Sequence, residues 1–371
     1  MPNYKFVSAQ RTPLVVYCGW NSDPTTTMTI HWHRDKIAFH SPRIYYRKKG
    51  LETWNTKLGT KRNYPGIDGK YNIHWCELSS LDPDTLYEFW IKDEGVVREF
   101  KTMPLSLGVG ETLKVVIGGD FHQFRDGTAI INVIKNVEPD IIICGGDFTD
   151  SDGFPVKFKL WMEFWEKMQP AFTENKRLVP IIPCIGNHEV QGGYGGSKET
   201  APFFYSMFSF PQDGYGVLDF GDYLSIIILD TDHTNWMIHQ STNTGWLDNR
   251  LSERVNIPNI IPVYHVPGYP SQRDFSGTYS KRVRDNFHPV FDAHDIKYVF
   301  ENHEHVYKKT PPIKQGEVNV NGVVYLGDGL TGAEPRTPDY TRWYMEESDQ
   351  LKHIHVVTVD SSNMSVDRVT Q

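Results

Sequence analysis

The stretch LKVVIGGD at residues 113–120 sets the architecture of most of the chain, because it is a continuous apolar run that ends in two glycines and an aspartate. A helical stretch, GTAIINVIKNVEPD (127–140), follows it. The same order repeats with IIICGGD (141–147), a helical stretch around FKLWMEFWEKM (158–168), and VPIIPCIGNHE (179–189). Apolar strands that alternate with helices predict a buried α/β sheet.

The alternation continues towards the C-terminus. We predict further strands at YLSIIILDT (223–231), NIIPVYHV (259–266), IKYVFENHEH (296–305) and GVVYLGDG (322–329), and helices at TGWLDNRLSE (244–253) and KRVRDNFHPVFDAH (281–294). The Gly-rich segment 191–216 has no periodic pattern and is interpreted as a long loop, a type that is often functional. Residues 105–371 are therefore predicted to form one α/β domain with two packed sheets and helices outside.

Residues 1–104 have a different pattern. Short alternating runs such as TMTIHWH (27–33) and LYEFWIK (86–92) are separated by Gly, Pro, Asn and Asp turns, which predicts an all-β sandwich. The segment LDPDTLYEF (81–89) resembles the corner before a late strand in a fibronectin type III domain, where a tyrosine, here Tyr87, ties the loop to the strand.

Composition limits the classes of function. The chain has 371 residues, 39% hydrophobic residues and a net charge of −8, which argues against a stable complex with nucleic acid or an anionic membrane. No apolar run approaches the roughly 20 residues of a membrane helix. No signal peptide is visible, so we expect a cytoplasmic protein unless a leader was removed or another export route is used. Cys144 and Cys184 are interpreted as core thiols, and a pairing of Cys18 with Cys76 is left open.

Polar residues follow the apolar runs at the strand ends, where ligands bind in open α/β sheets. Residues i and i+2 of an extended segment point the same way, so two such side chains can share one metal, whereas neighbours point in opposite directions. Each signal, taken alone, also fits an ordinary turn residue. The candidates are Asp120 and His122, Asp147, Asn187 and His188, His265, and His303 and His305.

The ordered set D-x-H, GGD, GNH, H-x-P and H-x-H resembles the calcineurin-like metallophosphoesterase superfamily over about residues 113–335. The N-terminal domain ending in REFKTMP and the segment GVVYLGDGLTG are most similar to purple acid phosphatases. The resemblance implies a four-layer metallophosphoesterase sandwich preceded by the fibronectin type III-like domain. It also implies hydrolysis of phosphate monoesters by direct attack of a metal-bound hydroxide.

The family pattern assigns the candidates to two metal ions. The resemblance places Asp120, His122, Asp147 and His305 on one ion and Asp147, Asn187, His265 and His303 on the other, with Asp147 as the bridge. His188 stays unligated and assists the leaving group. Imidazole and carboxylate ligands suit Fe, Zn and Mn alike.

Two positions depart from the purple acid phosphatase pattern. The tyrosine ligand that gives those enzymes their colour would stand at Asp150, so this protein is not expected to be purple, and His122 fills the vacancy. The usual glycine of GH-x-H is Asn302, which we expect to tolerate a left-handed backbone.

The substrate is expected to be a phosphorylated small molecule or a nucleotide. Loop positions suggest Arg125, Tyr194, His233, Tyr269 and Arg336 as substrate contacts, although each also fits an ordinary loop residue. A phosphodiesterase acting on cyclic nucleotides or other diesters remains an alternative because of the D-x-H start and the missing tyrosine. A third reading is a non-enzymatic surface or virion binding protein.

Overall fold

The computed structural model describes residues 13–35, 41–67, 70–174, 177–241 and 245–371. The first twelve residues of the predicted sandwich therefore lie outside the described part of the chain. The strands of the sandwich are β1 (Val15–Gly19), β2 (Met28–Asp35), β3 (Arg43–Lys48), β4 (Asn55–Leu58), β5 (Thr60–Asn63), β6 (Tyr71–Leu78), β7 (Leu86–Ile91) and β8 (Arg98–Lys101).

The strands of the second part are β9 (Leu113–Gly118), β10 (Ile141–Cys144), β11 (Thr173–Glu174), β12 (Arg177–Leu178), β13 (Ile181–Pro183), β14 (Gly216–Phe220), β15 (Leu224–Ile228), β16 (Asn259–Val263), β17 (Tyr298–Phe300), β18 (Tyr307–Lys309), β19 (Ile313–Lys314), β20 (Glu317–Val318), β21 (Val324–Gly327), β22 (Glu347–Asp349), β23 (His353–Val359) and β24 (Met364–Thr370). The helices are α1 (Ala129–Val137), α2 (Phe158–Phe172), α3 (Pro202–Met207), α4 (Met237–Gln240), α5 (Trp246–Ser252), α6 (Thr278–Asn286) and α7 (His288–Ala293).

The N-terminal part is an all-β sandwich, as predicted. One sheet has the order β1-β2-β6-β5, and the other contains β8-β7-β3-β4. The Tyr87 hydroxyl accepts the backbone N–H of Asp82 at 2.9 Å, so this tyrosine does tie the corner to its strand. Cys18 and Cys76 are buried free thiols, and the disulfide left open by the sequence does not form.

The second part contains two sheets packed face to face with helices outside, which confirms the four-layer fold. The sheets have the orders β13-β10-β9-β23-β24 and β14-β15-β16-β17-β21-β18-β22. Val115 and Ile117 face the second sheet, whereas Val116 faces α1 and α2, as the two-residue period of a strand requires. Helices α5, α6 and α7 cover the outer face of the seven-stranded sheet.

The parallel strands position the functional residues. Strands β13, β10 and β9 are mutually parallel, and so are β15, β16, β17 and β21. Their carboxyl ends meet at one edge of the two-sheet layer, so the loops after β9, β10, β13, β16 and β17 converge there.

Two elements differ from the sequence predictions. The helix expected over 281–294 is split into α6 and α7 at Phe287, because Pro289 has no N–H to donate and stands at the first turn of a new helix. The expected loop 191–216 contains α3, whose Phe203, Phe204 and Met207 are buried against α2.

The two parts share a sheet and a core. Strand β12 pairs with β8 through Arg177 and Glu99, so β11 and β12 extend the sandwich sheet from within the second part. The Tyr17 ring stacks on Trp165 of α2 with ring centroids 4.2 Å apart. None of the helices in the described part of the chain has the length and apolar character of a membrane span.

Candidate metal centre

The structure brings all seven predicted metal ligands together at the sheet edge. The first group contains Asp120, His122 and His305. Nε2 of His305 lies 3.1 Å from both Asp120 Oδ1 and His122 Nε2. All three side chains are buried, so they form a compact three-donor corner at the end of β9.

The second group lies at the ends of β13, β16 and β17. Nε2 of His265 is 3.2 Å from Asn187 Oδ1 and 3.2 Å from His303 Nδ1. The other ring nitrogen of His265 donates to the carbonyl of Gly145 at 2.9 Å, which fixes the tautomer and leaves Nε2 free to bind a metal.

Asp147 lies between the two groups. Its Oδ2 is 3.1 Å from His265 Nε2 on one side and 3.9 Å from His122 Nε2 on the other. Burial alone would raise the pKa of Asp147, but the imidazoles of His265, His188 and His122 outweigh it and hold the pKa well below its usual value. An ionised carboxylate in this position fits the bridging role.

The donor set fits a pair of cations. Asp120 Oδ1 is buried without a hydrogen-bond partner, an arrangement that costs free energy unless a cation binds there. Nitrogen and carboxylate ligands at this density, closed off from water, are typical of Zn, Fe or Mn sites.

The backbone reasons for this convergence differ from the predicted ones. Asp120 and His122 are in left-handed backbone, with φ of 54° and 42°, and so are His303 and His305, with φ of 82° and 57°. The side chains of each pair are thus directed to the centre by tight turns and not by an extended segment. Left-handed non-glycine residues carry strain and cluster at functional sites.

Asn187 and His188 diverge for a similar reason. Residues 187–189 form a 3-10 turn, and its curvature sends Asn187 to His265 and His188 towards Asp147. The prediction that they are extended neighbours is wrong, and both side chains are directed at the surroundings of Asp147 Oδ2.

Asn302 also acts differently from the prediction. It does not take the left-handed conformation, which falls instead on His303. The Asn302 side chain donates to the Tyr264 carbonyl at 2.9 Å and fills space beside Gly119 and Gly145, where any Cβ would overlap with it. The two glycines at the ends of β9 and β10 therefore make room for an asparagine.

His188 is held by a residue that the sequence patterns did not single out. Its Nδ1 donates to Asp152 Oδ1 at 2.5 Å, which directs Nε2 towards Asp147 Oδ2, 4.0 Å away. Burial lowers the pKa of His188, but the carboxylates of Asp147, Asp152 and Asp150 outweigh it and raise the pKa overall. His188 also lies close enough to His122 and Asp147 to complete a third donor group.

Asp150 stands at the position where the tyrosine ligand was expected, but it contacts a histidine and not a metal position. It accepts the Nδ1 proton of His122 at 2.6 Å and so aims Nε2 of that ring at the first group. A carboxylate behind a histidine ligand fixes the ring and raises its basicity. Burial raises the pKa of Asp150, but His122, Gln123 and Arg125 lower it overall to about 2.

Glu189 orders the loops around the bridge. Its buried carboxylate accepts the backbone N–H groups of Asp147, Phe148 and Gly186 at 2.8–2.9 Å. Burial and the neighbouring Asp147 raise the pKa of Glu189 to about 8. The GNHE motif contained this residue, but nothing in the pattern distinguished it from a solvated glutamate.

Three of the predicted substrate contacts are engaged with the protein itself. Arg125 is half-exposed and pairs with Asp150 at 3.2 Å. Tyr194 is stacked between Tyr279 and His233, and its hydroxyl lies 3.4 Å from His303 Nε2. His233 has one ring nitrogen 2.8 Å from the Gly193 carbonyl and the other 3.0 Å from the Thr231 hydroxyl, so it supports the loop that carries Tyr194.

The other two predicted substrate contacts, Tyr269 and Arg336, lie in different surroundings. Tyr269 is 2% exposed and packs among His288, Tyr325 and Tyr344, in the core between the seven-stranded sheet and the helices that cover it. Arg336 lies beside the centre, where it donates to the His303 carbonyl at 3.2 Å. Arg273, which the sequence patterns did not single out, donates to the same carbonyl at 3.0 Å and to Glu304 at 2.7 Å.

Comparisons with known proteins fit this geometry. A family model described as calcineurin-like phosphoesterase matches residues 113–307, which is more than half of the chain. A second model, described as the N-terminal domain of purple acid phosphatase, matches residues 13–102.

Among similar proteins, purple acid phosphatase 13 of Arabidopsis thaliana is 22% identical over 308 residues, covering 70% of this chain and 54% of that protein. Purple acid phosphatase 23 of the same plant is 22% identical over 356 residues, covering 83% and 72%. The chain thus spans about half the length of the first. The solved structure of PhoD shares the fold, with a TM-score of 0.70 at 11% identity over 100% of this chain and 90% of that one.

Proposed function

Because the chain belongs to the calcineurin-like phosphoesterase family, we propose that it is a binuclear metal-dependent hydrolase of phosphate monoesters. The observation that carries the proposal is a pair of adjoining buried donor groups that share Asp120, one with His122 and His305 and the other with Asp147, His265 and His303. Asp120, His122 and His305 would hold one ion, and Asn187, His265 and His303 the other, with Asp147 shared. Two divalent cations bound there would supply Lewis-acid stabilisation of the phosphoryl group and activation of water.

His188 is proposed to serve the leaving group. Asp152 holds its Nδ1 proton, so the proton available to a substrate is on Nε2, which points towards the bridge. A positioned imidazole can deliver that proton to the ester oxygen as the bond to phosphorus breaks. The side chain is 30% exposed, which leaves room for an alcohol leaving group beside it.

Arg336 supports a monoester substrate over a diester. A phosphomonoester carries up to two negative charges and one more free oxygen than a diester, so its site benefits from an additional cationic donor. The Arg336 guanidinium always remains charged, and no ion pair joins it to a carboxylate in the described residues. It lies within the electrostatic influence of Asp120 and Asp147, next to both donor groups.

A phosphodiesterase remains the second candidate, favoured by His122 and by Asp150 in the tyrosine position. The deciding experiment compares turnover of an aryl phosphate monoester and an aryl diester on enzyme loaded with Zn, Fe or Mn of known stoichiometry. We expect the monoester to have the higher kcat/KM. A faster diester would favour the alternative, and the absence of turnover with either ester at full metal loading would favour a binding protein.

An Arg336→Gln variant sharpens the comparison. Because the proposal assigns its charge to the additional oxygen of the monoester, kcat/KM for the monoester should fall roughly ten- to hundredfold, as for a lost charge-assisted hydrogen bond. The value for the diester should fall less. Lys309→Gln is the matched control, since Lys309 pairs with Glu347 at the surface.

A further inference from the structure

A closed network of buried charges lies directly behind the second donor group. Lys308, at the centre of β18, is fully buried, and its Nζ lies 2.5 Å from Glu301 Oε2 and 2.8 Å from Asp328 Oδ1. The third hydrogen of the ammonium reaches the Tyr269 carbonyl at 2.6 Å. Lys308 therefore contacts three different loops, through hydrogen bonds to Glu301 and the Tyr269 carbonyl and an ion pair with Asp328.

The outer members of the network extend to the loop that carries His265. The second oxygen of Glu301 accepts the Tyr264 hydroxyl and the Gly268 N–H, both at 2.7 Å. The second oxygen of Asp328 accepts the Ser271 hydroxyl. Tyr264 precedes His265 in sequence, and residues 268–271 are the turn that follows it.

The network also fixes the loop that carries His303. Glu301 stands two residues before this histidine, at the end of β17. Strands β17 and β18 both pair with β21, so Lys308 joins the ends of three neighbouring strands. The first donor group is reached through backbone, since the Asp328 carbonyl accepts the N–H of His305 at 2.8 Å.

Stability alone does not account for such a cluster. Buried ion pairs recover little more than their desolvation cost, and apolar replacements of similar volume are often neutral or stabilising. Here three charged side chains occupy a site whose neighbours, Tyr264, Tyr325 and Val299, form an ordinary apolar core. The polar contacts instead position the loops, because each contact holds one loop at a defined distance from the Lys308 ammonium group.

We infer that Lys308, with Glu301 and Asp328, is a positioning cluster that sets the spacing of His265 and His303 and so determines the affinity of the second metal site. This inference rests on the proposed function, because it assigns a role within the same centre. The inference also distinguishes the two sites. The affinity for the ion held by His265 and His303 depends on the cluster, whereas the affinity for the ion held by Asp120, His122 and His305 depends on it much less.

The test uses Mn²⁺ titration calorimetry on the 371-residue chain, in which two binding steps are expected. The main variant is Glu301→Gln/Lys308→Met/Asp328→Asn, which removes all three charges and preserves the shapes, so no buried charge is left unpaired. We expect its melting temperature to stay close to that of the wild type. We expect the Kd of one Mn²⁺ to rise 10–100-fold, the range for lost outer partners of metal ligands, and the other to change less than about threefold.

A second variant covers the case in which the triple variant does not fold. Tyr264→Phe removes one hydrogen bond to Glu301 and keeps the ring in place, and it should weaken the same Mn²⁺ step several-fold. Lys309→Met is the control, because this neighbour on β18 is paired at the surface with Glu346 and Glu347 and should change neither step.

Excess Mn²⁺ provides a readout that a purely structural role would not give. Activity lost at limiting Mn²⁺ should return in the triple variant when the second site is saturated. A folded variant with two wild-type Kd values overturns the inference and leaves the proposed function intact. A wild-type protein that binds no Mn²⁺ pair and hydrolyses no ester overturns both.

Discussion

At the scale of single residues, Asp150 explains how the centre is built without a tyrosine ligand. Its carboxylate lies behind His122 and not against a metal position, since it accepts the Nδ1 proton of that ring. The Tyr194 hydroxyl lies 3.4 Å from Nε2 of His303, whereas Nδ1 of that ring faces His265. Asp150 and Tyr194 therefore each contact a histidine of the donor groups and not a metal position.

The first prediction concerns colour. With no phenolate among the donor groups, iron-loaded protein should show no visible tyrosinate-to-iron charge-transfer band. An absorption spectrum of protein reconstituted with iron measures this directly. A purple sample would mean that Tyr194 or another tyrosine moves onto the iron.

The second prediction tests whether Asp147 is shared by the two metal sites. Asp147→Ala should lose both metal ions, because its carboxylate lies between the two groups, whereas His122→Ala should lose mainly one. Metal analysis after gel filtration gives the stoichiometry. Equal losses in both variants would contradict the assignment of Asp147 as the bridge.

The third prediction concerns His188. If it protonates the leaving oxygen, His188→Ala should keep near-normal metal content and lose roughly 10²–10⁴-fold in rate. The loss should shrink for nitrophenyl esters, whose leaving group needs no proton. Asp152→Asn should give a smaller loss of the same kind, because it frees the ring that Asp152 now orients.

Two outcomes would revise this role. A loss that is equal across leaving groups would point to electrostatic stabilisation in place of proton transfer. Loss of metal in His188→Ala would make His188 a ligand, an arrangement that its 4.0 Å separation from Asp147 Oδ2 places within reach.

The convergence of the candidate ligands was predictable from the sequence because each follows an apolar strand in a fixed order. Their supporting residues were not. Asp150, Asp152 and Glu189 lie in polar loops where a carboxylate is unremarkable, and only the folded chain shows that each faces a buried partner. Conversely, Tyr269 follows the candidate ligand His265 in sequence, but its ring packs against Tyr325 in the core.

At the scale of elements, the loop after β21 passes unusually close to the centre. Gly329 has φ of 69°, and a Cβ at this position would overlap with Asp120 Oδ2, the atom that accepts the His303 N–H. A side chain here would push the first donor group apart.

The fourth prediction follows from this contact. Gly329→Ala should fold but lose metal affinity, since Asp120 must move. Gly316→Ala is the matched control: it has φ of 80° in the β19–β20 turn with no atom within 4 Å of its Cβ, so it carries only the left-handed strain of about 1–2 kcal/mol. Equal metal affinities in the two variants would contradict the proposed overlap.

The strands and most helices follow from apolar runs and their spacing, which is why β9, β10, β13 and β16 lie where the sequence predicts. The left-handed turns do not follow, since aspartate and histidine at φ near 50° are held there by tertiary contacts. Helix α3 was missed because its six residues are too few to establish a period.

At the scale of the whole molecule, several histidines outside the donor groups are buried in neutral form. Burial lowers the pKa of His31 to about 3 and that of His353 to about 4, and the pKa values of His33, His288 and His355 also lie well below the usual value. In the unfolded chain these groups titrate near 6.5.

The fifth prediction is that the protein is most stable at neutral pH and loses stability in acid. Between about pH 6.5 and pH 4 the unfolded chain protonates His31 and His353 while the folded chain does not, so the free energy of unfolding decreases by about 1.4 kcal/mol for each of these two histidines with every unit that the pH is lowered. Urea unfolding of metal-free protein from pH 7.5 to pH 4.5 measures it. His31→Gln should flatten the slope, and a profile without any slope would contradict the burial argument.

The pairing of β12 with β8 has a consequence for how this chain can be divided. The sandwich residues Trp32, Phe89 and Phe100 belong to one continuous core with Val115 and Ile226 of the two central sheets. A cut at the proposed boundary after residue 104 would open that core and strip two strands from a sheet. The linker therefore separates two folds by topology, but the two parts are expected to unfold together. Grafting or exchange of the sandwich requires that the surface against which it packs be transferred with it.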